Sequence, residues 1–275
     1  MIIDTHTHVF PDDIAKRALA KLEELARFRI HPCDDGTLAA LLKDMNENGI
    51  DKSVVCPIAT KPTESFFDGI LRQAKSFASG EQGKEARERI IHLASVHPDD
   101  EKRFDHLKEI AEAGIKGVKL HPFYQPLVLD SDKMLEYFRC CRDLNLCVVV
   151  HCGFDVGFPA DPIAGPERIS RVIKEVPGLK FVAAHLGGLF QWGGVREHLM
   201  GKDVYLDTSL PPFSFDNDNA LQIFREHRED RLLFATDWPW LSHADAKAFI
   251  HSAGISEARE TKILGENAKA LFGVQ

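Results

Sequence analysis

Several signatures that would assign a function are missing from this chain, and each absence removes a class of protein. No Gly-x-Gly-x-x-Gly follows a strand-like run, so nothing points to a bound dinucleotide. The six cysteines (Cys33, Cys56, Cys140, Cys141, Cys147 and Cys152) form no Cys-x-x-Cys pair, and several lie in apolar runs where free thiols pack well. A reduced, cytoplasmic protein is the expectation. No apolar run approaches the roughly 18 residues needed to span a bilayer. No basic segment precedes the first apolar stretch, so no secretory signal is expected. Basic charge is not in excess either. Lys and Arg number 34 against 42 Asp and Glu, the net charge is −8 and the pI is about 5.9. That balance disfavours nucleic acid and anionic membranes as partners.

What is present is ordinary globular composition, 44% hydrophobic and 28% charged, in 275 residues that can bury a large core. Short apolar runs bounded by turn residues predict strands at residues 1–8, 53–58, 90–97, 115–120, 147–150, 179–184, 204–209 and 231–236. Between them, apolar residues at helical spacing predict helices at residues 12–28, 38–48, 65–78, 104–113, 134–141, 166–176, 193–200 and 219–227, with further helices from 244 to the end. Residues 29–36 read as a loop, and the charge-rich residues 79–88 as a surface connection. Near-continuous apolar strands suit a parallel sheet covered by helices. Eight β/α units with no low-complexity linker predict one domain over residues 1–275, an α/β fold of the (β/α)8 TIM-barrel type. An open doubly wound sheet is the alternative, but it usually has fewer strands.

In such barrels the chemistry lies at the C-terminal strand ends. Here those ends carry His6 and His8, then His97, Lys119 and His121, His151, His185 and finally Asp237. His6 and His8 alternate along a strand, share a face and can chelate one cation. A lone His-x-His would more simply be a polar turn. Six of the 13 histidines fall on what would be one rim, however. His151, directly after three valines, is also hard to place in a core, since its second nitrogen would need a buried partner. Convergence on a metal explains these positions together.

His6-Thr-His8, Gly117-Val-Lys-Leu-His-Pro122, Val150-His-Cys-Gly153, Ala184-His-Leu-Gly-Gly188 and Thr236-Asp-Trp-Pro239 resemble the amidohydrolase superfamily. Within it the chain is most similar to the amidohydrolase-related branch of metal-dependent hydrolases and non-oxidative decarboxylases. The ending, Ile263-Leu-Gly-Glu-Asn-Ala268 with Leu271-Phe272, looks like that branch too, so the resemblance runs from end to end.

The resemblance implies that His6, His8, His151 and Asp237 hold a divalent metal, with Zn²⁺ expected. Such an ion can lower the pKa of a coordinated water to about 7 and supply hydroxide. Asp237 would take the proton and His185 would orient the water or polarise the substrate. The competing reading of Asp237 is a helix N-cap, made weaker by the intervening Trp238-Pro239. One ion is favoured. A second would use Lys119, carboxylated, with His151 and His185; otherwise Lys119 and His121 are substrate or supporting groups, and Lys119 can equally form a salt bridge. No glutamate on a middle strand matches the bridging ligand of some relatives.

A strand stop is the plainer reading of His97-Pro98, so His97 is a weak candidate for substrate contact. His31, His106, His198, His227, His243 and His251 are expected in solvent, and Cys152 facing away from the metal. Trp192, Trp238 and Trp240, with Phe10, Phe123, Tyr124, Phe154, Phe158, Phe190, Phe213 and Phe215, follow strand ends and predict an apolar pocket for a small organic molecule. Packing of the loops is the plainer account of each ring alone.

The chain is thus expected to be a hydrolase of amides, esters or lactones. A decarboxylase of the same architecture and a catalytically silent metal-binding protein are the alternatives. A homo-oligomer stays open, though no flat apolar helix face stands out.

Overall fold

Alternation along each strand decides what faces the inside of the barrel. The computed structural model describes residues 1–26, 30–158, 163–209, 214 and 217–274. Among these lie eight strands: β1 (Ile3–Thr7), β2 (Lys52–Val55), β3 (Ile90–His92), β4 (Gly117–Leu120), β5 (Cys147–Val150), β6 (Phe181–Ala183), β7 (Tyr205–Asp207) and β8 (Leu232–Leu233). Neighbours pair in parallel in the orders β1-β2-β3 and β4-β5-β6-β7-β8. Two further seams close the ring. Ala94 N–H donates to Gly117 O (3.0 Å) and Lys119 N–H to Ala94 O (2.9 Å), joining β3 to β4. Thr5 N–H donates to Phe234 O (2.9 Å), Asp237 N–H to His6 O (2.9 Å) and His8 N–H to Trp238 O (2.7 Å), joining the last strand to the first. Among the described residues no sheet edge is left open, as a barrel requires.

Twelve helices among the described residues surround the strands: α1 (Ala15–Leu25), α2 (Leu38–Asn48), α3 (Glu64–Ser79), α4 (Lys84–Arg89), α5 (Arg103–Glu112), α6 (Asp132–Asp143), α7 (Pro166–Glu175), α8 (Trp192–His198), α9 (Asp218–Glu226), α10 (His243–Ser252), α11 (Glu257–Thr261) and α12 (Asn267–Phe272). Thr37, Asn217, Ser242 and Ser256 cap the helices they precede with their side-chain oxygens. Pro166 opens α7, where its missing N–H costs nothing.

The core has two layers. Ile3, Val54, Leu93, Cys147, Val149, Val182 and Leu233 fill the barrel interior with Ala268, Leu271 and Phe272 of α12. Val55, Val118, Leu120, Val148, Val150, Phe181, Leu206, Leu232 and Phe234 pack outward against the helices. The chain enters and leaves at the same end. Gly265 lies so near Met1 that an added Cβ would stand 2.0 Å from the Met1 carbonyl oxygen. By the same alternation Lys119, His121, His151, Asp207 and Asp237 continue the inward-facing rows.

The strands are shorter than their apolar runs, because chain beyond the last ladder bond turns into the rim loops. Residues 79–88 are not only a connection: α4 occupies their end, a charged single-turn helix without apolar periodicity. The expected helix end at residues 27–28, the first loop residue 29, and Phe213 and Phe215 lie outside the described residues. Three histidines expected in solvent are buried instead, each held by a partner distant in sequence or on a neighbouring turn. His106 meets Asp100, His227 Nε2 meets the Val204 carbonyl, and His243 sits between Asp4 and Asp44. His31 and His251 are exposed, as expected. No helix among the described residues is long and apolar enough to cross a membrane.

Candidate metal centre at the barrel mouth

β1 and the chain leaving β8 bring three side chains to one point. Asp237 Oδ1 lies 3.0 Å from His8 Nε2 and 3.4 Å from His6 Nε2. β1 advances from Asp4 to Thr7 while β2 advances only from Ser53 to Val55, so one extra residue bulges where His6 stands. Such a bulge re-aims side chains at a barrel rim. Asp237 adopts φ 58°, a left-handed conformation uncommon for a residue with a Cβ. His185 (φ 57°) and Leu186 (φ 55°) do the same after β6. Strain of this kind concentrates at functional sites.

His6 is fixed from behind. Its Nδ1–H donates to Asp207 Oδ2 at 3.0 Å, which leaves Nε2 with a lone pair. Lys119 Nζ, fully buried, donates to that lone pair at 2.8 Å. Asp207 Oδ1 also accepts from His185 N–H (2.9 Å) and Ser209 Oγ–H (2.5 Å). One carboxylate thereby positions two of the rim histidines.

His151 joins a different group. Its Nε2 and that of His121 face one oxygen of Asp155, Oδ2, at 3.7 and 3.2 Å, and the two imidazoles stack with centroids 4.2 Å apart. Asp155 is held by Gly157 N–H on its other oxygen (2.7 Å). His185 stands between the groups: Nδ1 faces the Ser209 carbonyl at 2.8 Å and Nε2 faces His151 Nδ1 at 2.8 Å. Among the described residues the two clusters that could hold an ion are therefore His6–His8–Asp237 and His121–His151–Asp155. Three of the four expected ligands meet, and His151 belongs to the neighbouring cluster.

The local electrostatics suit ligands. Burial, with Lys119 adding to it, lowers His6 to about 4. Burial, reinforced by the neighbouring histidines and Lys119, likewise holds His121 and His151 well below the usual histidine range. Burial opposes ionisation of Asp237 and Asp207, yet His6 acting on both, with His8 on Asp237, keeps both carboxyls well below their usual range. Neutral imidazoles and ionised carboxylates are the forms that bind a metal without first losing a proton.

Two candidates take no part in these contacts. His97 Nδ1 accepts from Asp99 N–H at 3.1 Å and so serves its own turn. Trp238, expected to touch substrate, is fully buried in the outer core layer, because the inward position is taken by Asp237 and the next residue faces the helices. Phe123 and Phe158 do stack near the rim (5.1 Å), with Tyr124 edge-on to Phe158. Cys152 is buried and faces away, as expected. Asp155, Asp207 and Ser209 are not legible as site residues in the sequence. The position of Asp207 at the end of a strand-like run is the one signal that marks it.

The strands close into a (β/α)8 barrel with a ring of histidines and aspartates at its C-terminal mouth. The chain matches the amidohydrolase family model over residues 3–274, and it belongs to that family. A curated relative, 4-sulfomuconolactone hydrolase from Rhizobium radiobacter, is 24% identical over 314 aligned positions, covering 98% of this chain and 89% of the relative. Among solved structures, a probable 2-pyrone-4,6-dicarboxylic acid hydrolase from Acinetobacter baumannii has a TM-score of 0.66 and 21% identity, with 99% of each chain covered. A 5-carboxyvanillate decarboxylase from Novosphingobium aromaticivorans with bound manganese has a TM-score of 0.67 and 17% identity, covering 100% of this chain and 97% of that one.

Proposed function

We propose that the protein is a divalent-cation-dependent hydrolase that opens a lactone, ester or amide of a small organic substrate. The observation that carries this reading is the approach of one Asp237 oxygen to the Nε2 atoms of His8 and His6, at 3.0 and 3.4 Å. The donor set fits such a cation. His6 donates its Nδ1–H to Asp207, so its Nε2 lone pair, which accepts from Lys119 Nζ, faces Asp237 and would be open to a cation in place of the ammonium group. Ligands of a tetrahedral zinc with bonds of 2.0–2.1 Å stand about 3.3 Å apart, which brackets these separations well. His6, His8 and Asp237 would hold the ion, and two nitrogens with one carboxylate suit zinc. When bound, the ion acidifies a water and polarises the scissile carbonyl.

The remaining roles fall to the chain itself. Asp237 and His8, with side chains 25% and 17% exposed, face the mouth while His6 is buried behind them. Asp237 takes the proton of the attacking water and returns it to the leaving oxygen or nitrogen. His185, oriented by Ser209 and Asp207, and His151 form a hydrogen-bonded pair that polarises the substrate. Lys119, whose Nζ lies 2.8 Å from His6 Nε2, would be released from that nitrogen by a cation and could then offer its N–H groups to an anionic substituent. The names of two relatives, a sulfomuconolactone hydrolase and a pyrone dicarboxylic acid hydrolase, favour a lactone bearing such substituents.

A panel of anionic lactones and esters, assayed for proton release beside carboxylated aromatics assayed for carbon dioxide, tests the reading. Lactone opening is expected with added zinc, falling about 10²–10⁴-fold in kcat for Asp237→Asn at saturating metal. Carbon dioxide release without lactone opening would assign a decarboxylase instead.

A further inference from the structure

Asp4 has no part in the chemistry proposed above, yet its carboxylate is fully buried beside both segments that carry the candidate ligands. Ile3 faces the barrel interior, so alternation turns Asp4 outward, under α10 and α2. Asp4 Oδ1 accepts from the backbone N–H of His6 (3.1 Å) and from that of Thr236 (3.2 Å), the residue before Asp237. Its Oδ2 accepts from Thr236 Oγ1–H at 2.5 Å. Thr236 Oγ1 in turn accepts from Trp238 N–H at 3.0 Å, on the other side of Asp237. Asp237 N–H itself donates to His6 O at 2.9 Å. One carboxylate thus ties β1 at His6 to the turn on either side of Asp237.

That turn needs holding. Asp237 sits at φ 58° without being a glycine, a conformation that persists only where its surroundings impose it. Released from Asp4, residues 236–238 could relax and carry Asp237 Oδ1 away from His8 Nε2 and His6 Nε2, which it now approaches at 3.0 and 3.4 Å. A buried anion also needs a counter-charge. His243, the first residue of α10, stands 3.0 Å from Asp4 Oδ2 through Nε2 and 2.5 Å from Asp44 Oδ2 through Nδ1. Asp44, on α2, is fixed by Asn48 Nδ2–H at 2.7 Å. The imidazole between two carboxylates supplies the compensating charge and leaves both Asp4 oxygens as acceptors. We propose that Asp4, backed by His243, is a positioning residue that sets the separation of Asp237 from His6 and His8, and with it their affinity for a cation. It acts through Thr236 and through the backbone of His6. Asp207 acts elsewhere, on a ring nitrogen of His6. The inference deepens the hydrolase reading and rests on its three ligands.

The test reads metal binding rather than turnover. Full-length protein stripped with chelator is titrated with Zn²⁺ by calorimetry, and the visible absorption of the Co²⁺ form reports the arrangement of the ligands. Melting curves without metal check that each variant is folded. Asp4→Asn is expected to lower Zn²⁺ affinity about 10–100-fold and to shift the Co²⁺ bands. Thr236→Val, which keeps the N–H and loses the hydroxyl, should change both in the same direction. Thr236→Ser, which retains the hydroxyl, should restore the wild-type values. The two Thr236 variants decide the matter if Asp4→Asn does not fold. Ile250→Ala opens a cavity in the buried face of α10 and should lower melting while leaving affinity and bands unchanged. Wild-type affinity and bands in Asp4→Asn and Thr236→Val, with binding lost in His8→Ala, would overturn the positioning role and leave the hydrolase reading intact. An equal loss in Ile250→Ala would also overturn it, since general loosening would then account for the effect. The expected pattern in a wild type that opens no lactone, ester or amide would support the positioning role and remove the hydrolase reading. No binding by the wild type would overturn both.

Discussion

At the scale of single residues, the site depends on which nitrogen of each histidine carries its hydrogen. Asp207 decides this for His6 by accepting from Nδ1 (3.0 Å), and it steadies His185 through its backbone N–H. Asp207→Asn keeps the shape and loses the charge. We expect cation affinity at His6, His8 and Asp237 to fall about 10–100-fold, the usual cost of losing an outer partner, read by calorimetry. Unchanged affinity would mean that Asp207 serves only the fold. A second buried aspartate, Asp4, works on the opposite side. It accepts from His6 N–H (3.1 Å) and Thr236 Oγ1–H (2.5 Å), and meets His243 Nε2 at 3.0 Å, while Asp44 meets His243 Nδ1 at 2.5 Å. Burial disfavours the imidazolium of His243, but the two carboxylates outweigh it and raise His243 from 6.5 to about 9. A raised folded value stabilises fully below the unfolded one and is lost as pH climbs. The stability difference between wild type and His243→Gln should therefore shrink by about 3 kcal/mol between pH 6.5 and 9.5, measured by denaturant unfolding. A difference independent of pH would show that His243 is neutral in the fold.

At the scale of elements, what was legible in the sequence follows from period-2 alternation. The run Cys147–Val150 fixes which face His151 takes, and the rows through Lys119 and Asp237 work the same way. The bulge in β1 and the left-handed turns at His185 and Asp237 leave no pattern in side-chain type, so the split of the ligands into two clusters was not readable. Nor was Asp155, an aspartate in a loop with nothing local to distinguish it. His106, His227 and His243 are buried against the expectation that a polar residue on a helix or at its end is solvated. Their burial depends on partners such as Asp44, 199 residues from His243. The loop after β5 offers a test. Gly153 has φ 85°, and an added Cβ would stand 2.1 Å from Leu189 N, where the β5 and β6 loops bridge. Gly153→Ala should destabilise by about 1–3 kcal/mol and lower kcat by displacing His151 and His185. A variant with unchanged melting and turnover would show that the loops are not locked together.

At the scale of the whole molecule, closure of the barrel brings residues of the first and last strands side by side. The seam is built from Thr5, His6 and His8 against Phe234, Asp237 and Trp238, so the group His6–His8–Asp237 spans the joint between the two ends of the chain. A cation held there would bind the folded form only. At free zinc 100 times its Kd, unfolding should cost about 2.7 kcal/mol more than in chelator, and His8→Ala should abolish most of that gain. The gain would persist in His8→Ala if zinc acted elsewhere. The measurement that bears most directly on the account is anomalous diffraction at the zinc edge from crystals grown with saturating zinc. It should show an anomalous peak within about 2.0–2.2 Å of His6 Nε2, His8 Nε2 and an Asp237 carboxylate oxygen. A mouth without that peak, or zinc bound only at residues away from these three, would contradict it.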